Sequence, residues 1–198
     1  MISRGKLKNL YINRKKSAEE IAKTLACSPR TVRYWMSKYN IPTRTISEAI
    51  YIKHNPDGDP FKFKKPRTLD EAQLFGLGLG LYWGEGTKAD AHSVRLGNTD
   101  PDLIRTFMNF LIRAFGLKKE DFKFWLQIFS DIDTNEALKF WIRKLRIKPR
   151  QITKPTITRS GSLGTYRKKS KYGVITVYYH NTKLRKLIGD MLATVAQR

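Results

Sequence analysis

Apolar residues in the first forty positions recur at the three- and four-residue spacing of short helices. We predict one helix within residues 4–14, a second beginning after Ser17 and a third beginning after Ser28. Ser17 with Glu20 forms a capping box, and Pro29 fits the first position of the third helix. The apolar positions expected to share a core are Leu7, Leu10, Tyr11, Ile21, Ala22, Leu25, Val32, Trp35, Met36 and Tyr39. The pattern therefore predicts a three-helix domain over residues 1–45.

The second and third predicted helices resemble the helix-turn-helix of resolvase-like and repressor domains. Ala22 takes the place of the small residue that lets the two helices cross closely, and Ala26 stands where the turn usually has glycine. The resemblance implies that the third helix reads DNA, because arginine can bond guanine edges while Ser and Tyr can bond phosphates. The polar candidates for DNA contact are Ser28, Arg30, Thr31, Arg33, Tyr34 and Ser37.

Residues 46–68 are predicted to be a linker between two domains. Pro, Gly and Asp recur between residues 55 and 68, which interrupts helical and strand patterns alike. Arg44, just past Pro42, is either a DNA contact in the minor groove, as in the arms of some helix-turn-helix proteins, or an ordinary linker arginine. The second domain is then expected over residues 69–198.

The second domain alternates between helical and strand patterns, which predicts an α+β fold. After a glycine-rich stretch, a hairpin is expected from residues 87–88 and 93–98. Asp100, Pro101 and Gly116 mark the ends of the next helix, and a strand follows at 122–129. Asp133 and Glu136 begin another helix. Strands at 152–159 and 173–179 are expected to form a pair joined by a basic loop, before a last helix at about 182–196.

The glycine-rich stretch from Leu74 to Lys88 reads LFGLGLGLYWGEGTK. Gly76, Gly80 and Gly84 recur every fourth residue, so on a helix they form one bare stripe. A glycine inside a helix costs about 1 kcal/mol relative to alanine, and close approach of another backbone is the usual reason to keep it. Glu85 ends the stripe in the last helical turn. There the helix dipole disfavours an anion, and a bound cation would reverse the effect.

A buried strand is an alternative structure for this stretch, because Leu77, Leu79 and Leu81 alternate with glycine and a short apolar run does not settle the period. A dinucleotide-binding loop is excluded, since Leu81 stands where that motif needs glycine or alanine. A membrane span is excluded by length: residues 74–83 are ten apolar or glycine residues, whereas a span needs about 20.

The same stretch resembles the signature of the LAGLIDADG homing-endonuclease family. Gly80 matches the first glycine of the motif, Glu85 its final acidic residue and Gly86 its closing glycine, whereas Trp83 replaces its first aspartate. The resemblance implies an αββαββα domain whose saddle-shaped antiparallel sheet sits on DNA. It also implies a homodimer in which two such helices pack face to face and two Glu85 carboxylates hold a divalent cation such as Mg²⁺. The implied interface residues are Gly76, Gly80, Trp83 and Gly84.

Composition favours nucleic acid as the partner. The chain has 39 Lys and Arg against 17 Asp and Glu, a net charge of +22, and such a field favours polyanions. Residues 137–189 contain 15 Lys and Arg but no carboxylate, unlike a surface of mixed sign. Candidate DNA contacts on the predicted strands are Lys88, Arg95, Lys123, Gln127, Lys154, Thr156 and Arg159. The basic loop between Tyr166 and Tyr172 adds Arg167, Lys168, Lys169 and Lys171.

Other classes of site are not indicated. Cys27 is the single cysteine, so the chain cannot form an internal disulfide, and the three histidines are too far apart in sequence to suggest a zinc cluster. The first ten residues lack the apolar core of a signal peptide. We therefore expect a cytoplasmic protein without a membrane partner.

Two functions fit these patterns best. The first is a Mg²⁺-dependent endonuclease acting on double-stranded DNA, with Glu85 as the metal ligand. Gln127 or Lys154 would then position water or neutralise charge. The second is a non-catalytic DNA-binding transcriptional regulator that uses the same fold as a scaffold. In that alternative Glu85 has a structural role, for example in a salt bridge to Lys88. Binding of RNA is a third, less favoured function.

Overall fold

The computed structural model describes residues 1–161 and 170–196. The chain divides into two compact units, residues 1–60 and residues 61–198. The division falls inside the segment 46–68 that the sequence assigns to a linker. Among the described residues, no helix combines the length and the apolar character that crossing a bilayer requires.

The first unit is helical. Helix α1 (Arg4–Lys8) continues into a π-helical turn (Asn9–Asn13), and α2 (Ala18–Thr24), α3 (Pro29–Lys38) and α4 (Ile46–His54) follow. The Glu20 N–H donates to Ser17 Oγ at 3.1 Å and the Ser17 N–H donates to Glu20 Oε2 at 2.7 Å, which confirms the predicted capping box. The buried apolar residues form one cluster: Leu7, Leu10, Tyr11, Ile21, Ala22, Val32, Met36 and Ile41. Leu25, Trp35 and Tyr39 pack against it.

The turn between α2 and α3 contains Ala26 in the left-handed region, at φ +49°. A Cβ is disfavoured there, and glycine would avoid that steric cost. Ser28 begins α3 by accepting a hydrogen bond from the Thr31 N–H at 3.1 Å. Residues 25–28 alone therefore connect α2 to α3.

The predicted linker differs from the structure at both of its ends. Thr45 and Glu48 form a second capping box, so residues 46–54 are helical, although none of them is fully buried. Residues 61–64 pack on the second unit instead of hanging free. The Lys62 N–H donates to the Phe115 carbonyl at 2.9 Å and the Lys64 N–H to the Ala114 carbonyl at 2.7 Å. Pro and Gly content alone therefore overestimates the length of the linker.

The second unit is an α+β domain built around a four-stranded sheet. Its elements in chain order are α5 (Leu69–Glu85), β1 (Ser93–Asn98), α6 (Pro101–Phe115), β2 (Lys123–Phe129), α7 (Thr134–Leu145), β3 (Thr156–Thr158), β4 (Val174–His180) and α8 (Thr182–Ala196). The strand order is β1-β4-β2-β3. β4 pairs antiparallel with β1 and β2, while β3 pairs parallel with β2.

Two strand predictions are wrong in detail. The first arm of the expected hairpin forms only an isolated bridge between Gly86 and Leu96 and one hydrogen bond from the Thr87 N–H to the Arg95 carbonyl at 3.0 Å. The strands expected as a pair, now β3 and β4, are not neighbours, because β4 lies between β1 and β2. The long connection between them does not impose the pairing that a tight hairpin would.

The core of the second unit lies between one face of the sheet and the helices. Alternate residues of β1, β2 and β4 are buried and point into it, including Leu96, Phe124, Leu126, Ile175 and Val177. Helix α6 contributes its apolar face to the same cluster. Asp100 begins α6 and Gly116, at φ +69°, ends it, as predicted. The other face of the sheet is left for polar residues.

Candidate functional site

The face of the sheet that points away from the core carries polar and aromatic side chains. Along β2 and β4 these residues alternate with buried ones, as expected for a sheet with one covered face. Together with the end of α5 they line one open groove, called here the sheet groove. Its lining residues are Glu85, Thr87, Arg95, Gly97, Trp125, Gln127, Val174, Thr176, Tyr178 and His180.

One row across the sheet combines two cations with an aromatic ring. Tyr178 pairs in register with Arg95 on one side and with Lys123 on the other. The Arg95 guanidinium carbon lies 5.4 Å from the centre of the Tyr178 ring, a distance at which cation–π attraction operates. His180 meets the same ring edge-on, with 5.0 Å between the ring centres. This row is a cationic surface with an aromatic centre.

The next row is aromatic and hydroxylic. Thr176 pairs with Gly97 on β1 and with Trp125 on β2. Trp125 Nε1 donates to Thr156 Oγ1 at 3.0 Å, which ties β3 to the face and fixes the indole ring. A Cβ on Gly97 would lie 2.7 Å from Thr176 Oγ1, so glycine leaves room for that hydroxyl. The row therefore presents hydrogen-bonding groups at a fixed position.

Arg95 is held by the loop that precedes β1. Arg95 Nε lies 2.7 Å from Asp90 Oδ2 and 2.5 Å from Ser93 Oγ. Asp90 also accepts from Ser93 Oγ at 2.5 Å and from the His92 N–H at 2.7 Å. These hydrogen bonds, Ser93 first and then His92, hold the pKa of Asp90 below its usual range, and the Arg95 charge adds to the effect. Arg95 is thus oriented before any ligand arrives.

Helix α8 anchors the same loop from behind. Arg185 donates from Nη2 to the Lys88 carbonyl at 3.0 Å and from Nε to the Asp90 carbonyl at 3.2 Å. Its guanidinium lies 5.7 Å from the centre of the buried Tyr82 ring, and burial raises the pKa of Tyr82. The end of α5, the loop and α8 are therefore connected, which positions the mouth of the sheet groove.

Glu85 is the last residue of α5 and faces the sheet groove. Gly86 ends the helix tightly, since a Cβ there would lie 2.4 Å from the Tyr82 carbonyl oxygen. The Glu85 side chain is exposed, and within the described part of the chain its carboxylate has no hydrogen-bond or ion-pair partner. Lys88 does not pair with it, because Lys88 Nζ donates to the Trp83 carbonyl. The salt bridge between Glu85 and Lys88, which would have given Glu85 a structural role, is therefore not formed.

The rest of α5 has two different faces. Gly78 is buried, and a Cβ there would lie 2.1 Å from Phe110 Cγ on α6. At Gly76, Gly80 and Gly84 an added Cβ would meet nothing within 4 Å, and all three are exposed. Two large side chains are exposed on the same helix, Leu77 at 53% and Trp83 at 55%. The predicted helix is thus confirmed, and its glycine stripe, called here the glycine face, is uncovered in the single chain.

The first unit presents a polar surface on α3. Arg30, Arg33, Tyr34 and Ser37 are exposed, and Tyr34 is 58% accessible. Arg33 forms an ion pair with Glu19 on α2, and both side chains are largely exposed. The Ser28 and Thr31 hydroxyls are 2.9 Å apart and serve the cap of α3. Arg30, Tyr34 and Ser37 are therefore exposed on this surface, while the Arg33 guanidinium is already paired with Glu19.

The Arg44 side chain binds backbone carbonyls within the first unit. Its guanidinium donates to the Lys15 and Lys16 carbonyls at 2.9 Å each, and also to the Tyr11 carbonyl. It lies 4.1 Å from the centre of the Tyr11 ring. Because these contacts occupy the guanidinium, we leave Arg44 out of the proposed DNA contacts and assign it a structural role.

The remaining predicted site residues are distributed unevenly. Gln127, Arg95 and Glu85 come together in the sheet groove, and Lys123 lies beside it, whereas Lys154 is exposed just before β3 and does not line the groove. Arg159 is exposed beyond β3 and has an interaction of its own within the chain. Lys171 lies 5.3 Å from the centre of the Tyr172 ring. Arg167, Lys168 and Lys169 lie outside the described residues.

Tyr178, Trp125, Thr176 and His180 belong to the sheet groove but are not among the residues predicted from the sequence. The signal that could have identified them is the alternation along β2 and β4, once the buried face is known. Which residues of β4 stand beside Arg95 depends on register, and register is not visible in one strand alone.

The described residues contain no cluster of three or more His, Cys, Asp or Glu that could hold a metal ion. One chain therefore offers a divalent cation a single carboxylate in the sheet groove, that of Glu85. A carboxylate oxygen is a hard donor suited to Mg²⁺, but such a site needs further ligands.

Comparisons with known proteins found no relative of this chain. A scan against protein-family models, a search of curated proteins and a search of solved structures each return no match to this chain.

Proposed function

We propose that the chain is a sequence-specific double-stranded DNA-binding protein that cuts DNA as a Mg²⁺-dependent homodimeric endonuclease. The observation that carries the proposal is the position of Glu85. Its unpaired carboxylate lies at the end of an uncovered glycine face and at the mouth of a groove that contains Arg95 and Gln127. The proposed fold is a helix-turn-helix unit followed by a LAGLIDADG-like domain.

Binding of DNA is supported by the chemistry of the sheet groove. Arg95 and Lys123 would contact phosphates from the two sides of Tyr178, which sets their spacing. Gln127, Thr176 and the Trp125 indole offer hydrogen-bonding and stacking groups between them. The net charge of +22 would attract DNA from a distance and make binding sensitive to salt.

Self-association is supported by the glycine face. A helix that exposes glycine, Leu77 and Trp83 loses both helical propensity and apolar burial as a monomer. A second copy of the same face would cover these residues, and the absence of side chains would let the two backbones approach closely. If the two-fold axis runs along the pair of helices, the helices are parallel and their C-terminal ends meet, which would place one Glu85 of each protomer side by side.

The residues present fit a divalent cation only as a pair of chains. Two Glu85 carboxylates brought together would repel each other and would both lie at negative helix ends, so a cation between them relieves two unfavourable effects. When bound, Mg²⁺ would stabilise the charge that develops on the phosphodiester. Arg95 would hold the neighbouring phosphate, and Gln127 would orient water by hydrogen bonding.

The first unit is proposed to read additional base pairs. The exposed surface of α3 presents Arg30, Arg33, Tyr34 and Ser37, groups suited to guanine edges and to phosphates. Linking two binding units in one chain raises the effective concentration of the second once the first has bound.

The test is cleavage of a mixed set of long DNA duplexes in Mg²⁺ and in EDTA, with Glu85→Gln and Glu136→Gln as matched variants. Glu136 is exposed on α7 outside the sheet groove. Cleavage should require Mg²⁺, disappear in Glu85→Gln and persist in Glu136→Gln. Binding in EDTA should survive in all three proteins. Cleavage that continues unchanged in Glu85→Gln would refute the proposed metal site.

A non-catalytic regulator is the second candidate function. The observation in its favour is that, among the described residues, one chain supplies only the Glu85 carboxylate to the sheet groove. Under this alternative every protein in the test binds DNA in a salt-dependent manner, and none cuts it with any divalent cation. The same experiment therefore separates the two functions.

A further inference from the structure

A second concentration of positive charge lies on the helical side of the second unit. Arg105 on α6, Lys119 in the turn before β2 and Arg146 at the end of α7 line one groove, called here the cationic groove. Asn109 and Thr106 contribute polar groups to the same lining. The cationic groove shares no lining residue with the sheet groove.

The charges in the cationic groove are not balanced. Asp102 is the one carboxylate of the lining, and it is already paired with Arg105. Three cations and one anion leave the lining with a net charge of +2. Partial burial and then the charge of Arg146 lower the pKa of Lys119, with Glu120 opposing the effect. The groove thus holds cations near one another without enough negative charge to compensate them.

The backbone at Arg146 adopts a conformation that is unfavourable for a residue with a Cβ. Arg146 ends α7 in the left-handed region, at φ +51° and ψ +51°. Helix α6 ends in the same region, but with glycine at position 116. Glycine is the usual residue at this position because it avoids the steric cost of a Cβ. A cation at a helix end is favoured by the dipole, yet Lys144 and Arg143 already supply that charge in the last turn of α7.

The two loops that carry Lys119 and Arg146 are pinned together. The buried Gln151 side chain donates from Nε2 to the Lys119 carbonyl at 2.8 Å and to the Phe122 carbonyl at 3.1 Å. Its Oε1 accepts from the Lys148 N–H at 2.9 Å. These bonds hold together the backbones of the two loops from which Lys119 and Arg146 extend.

We propose that the cationic groove is a binding site for a phosphate group carrying two negative charges. Arg146 and Lys119 would bind the phosphate oxygens directly, and Arg105 would complete the charge balance from α6. A guanidinium presents a planar fork that matches phosphate geometry, which is a reason to keep arginine at a strained position. The groove, of about 520 Å³, also has room for the rest of a small phosphate ester. The site is independent of DNA binding at the sheet groove.

The test is a titration of the full chain with inorganic phosphate and with a nucleoside 5′-monophosphate, at constant ionic strength set with chloride. Amide shifts in the NMR spectrum for residues 105, 119 and 146 should saturate with both ligands, and the two should compete. Tighter binding of the monophosphate would identify a phosphate ester as the source, whereas equal binding would identify free phosphate.

Two variants of Arg146 separate binding from folding. Arg146→Gly should weaken phosphate binding by about 10- to 100-fold, the loss expected for a charge-assisted hydrogen bond, while the melting temperature stays equal or rises because backbone strain is relieved. Arg146→Gln should weaken binding similarly. Arg143→Gln removes a cation from the same helix outside the groove and should leave the affinity within about twofold of the wild type, as a surface substitution does.

Three results would overturn the proposal: shifts that rise linearly without saturation, equal affinity in Arg146→Gly and the wild type, or an equal loss in Arg143→Gln. Each would show that phosphate responds only to the overall charge of the chain. Because none of these readouts uses DNA cleavage or DNA binding, the result does not depend on the proposed endonuclease.

Discussion

Replacing Gly76 and Gly80 by alanine is expected to stabilise the folded single chain and to weaken its self-association. Both glycines lie inside α5, and an added Cβ at either position meets nothing within 4 Å. The folded chain therefore has space for both methyl groups. If the glycine face has no partner, Gly76 and Gly80 lower the stability of the helix and gain no contact in return.

The size of the effect follows from helix propensity. Each Gly→Ala change inside an exposed part of a helix gains about 1 kcal/mol, so the double variant should gain about 2 kcal/mol. For a protein of this length that corresponds to a rise of about 4–8 °C in melting temperature. In a close-packed dimer the same methyl groups would overlap the partner backbone, and overpacking costs about 1–3 kcal/mol per site. Self-association should then weaken by at least about tenfold.

The assay combines thermal unfolding with sedimentation velocity, each with and without duplex DNA. Gly78→Ala is the matched control on the same helix, because its Cβ would lie 2.1 Å from Phe110 Cγ. The control should lower the melting temperature, while Gly76→Ala with Gly80→Ala should raise it and lose the dimer. A double variant that melts higher and still dimerises and cuts as the wild type does would refute the assignment of the glycine face.

Three further outcomes are expected. Lys123→Gln should weaken DNA binding and make the slope of log affinity against log salt less steep by about 0.9, as the loss of one phosphate contact predicts; an unchanged slope in fluorescence anisotropy would remove Lys123 from the interface. Asp90→Asn should be less stable than the wild type in urea at pH 7. Because the pKa of Asp90 is lowered by folding, its contribution is present above the usual aspartate range and is lost as the pH falls through the lowered value, so the stability difference between the two proteins should shrink as the pH falls below that range; a difference that stays constant at every acid pH at which both proteins remain folded would contradict this role. Arg44→Gln should destabilise the first unit by about 2–3 kcal/mol, because three carbonyls lose a charged donor; unchanged stability with weaker DNA binding would instead favour the minor-groove contact.

The elements with strong local signals were predictable from the sequence. Ser17, Ser28 and Asp100 mark helix starts by accepting hydrogen bonds from backbone N–H groups two or three residues later, and such signals do not depend on the rest of the fold. Helix α4 carried a signal of the same kind in Thr45 and Glu48. Because Pro and Gly residues follow α4, the segment was predicted to be a linker and the helix start at Thr45 was missed.

Features that depend on long-range pairing were not predictable. The position of β3 beside β2 and of β4 in the middle of the sheet is set by contacts between residues about 30 to 90 positions apart. For the same reason, Arg95 could be proposed as a DNA contact from its strand, but its partners Tyr178 and Asp90 required the register and the loop.

The glycine-rich stretch shows both cases within a single helix. Spacing identified the bare stripe of Gly76, Gly80 and Gly84, because a helix places every fourth residue on one side. The different role of Gly78 depends on Phe110, a residue on another helix. The exposure of the stripe, on which the proposed dimer depends, became visible only with the fold.

The most direct test of the proposed dimeric site is whether two residues at position 85 meet. Glu85→Cys in a Cys27→Ser background removes the only native thiol, and a disulfide can form only when the two Cα atoms approach within about 7 Å. Oxidation in the presence of duplex DNA and without Mg²⁺ should give a covalent dimer rapidly. Glu136→Cys in the same background should not. Equal and slow cross-linking of both variants would contradict the proposal that two Glu85 carboxylates share one metal site.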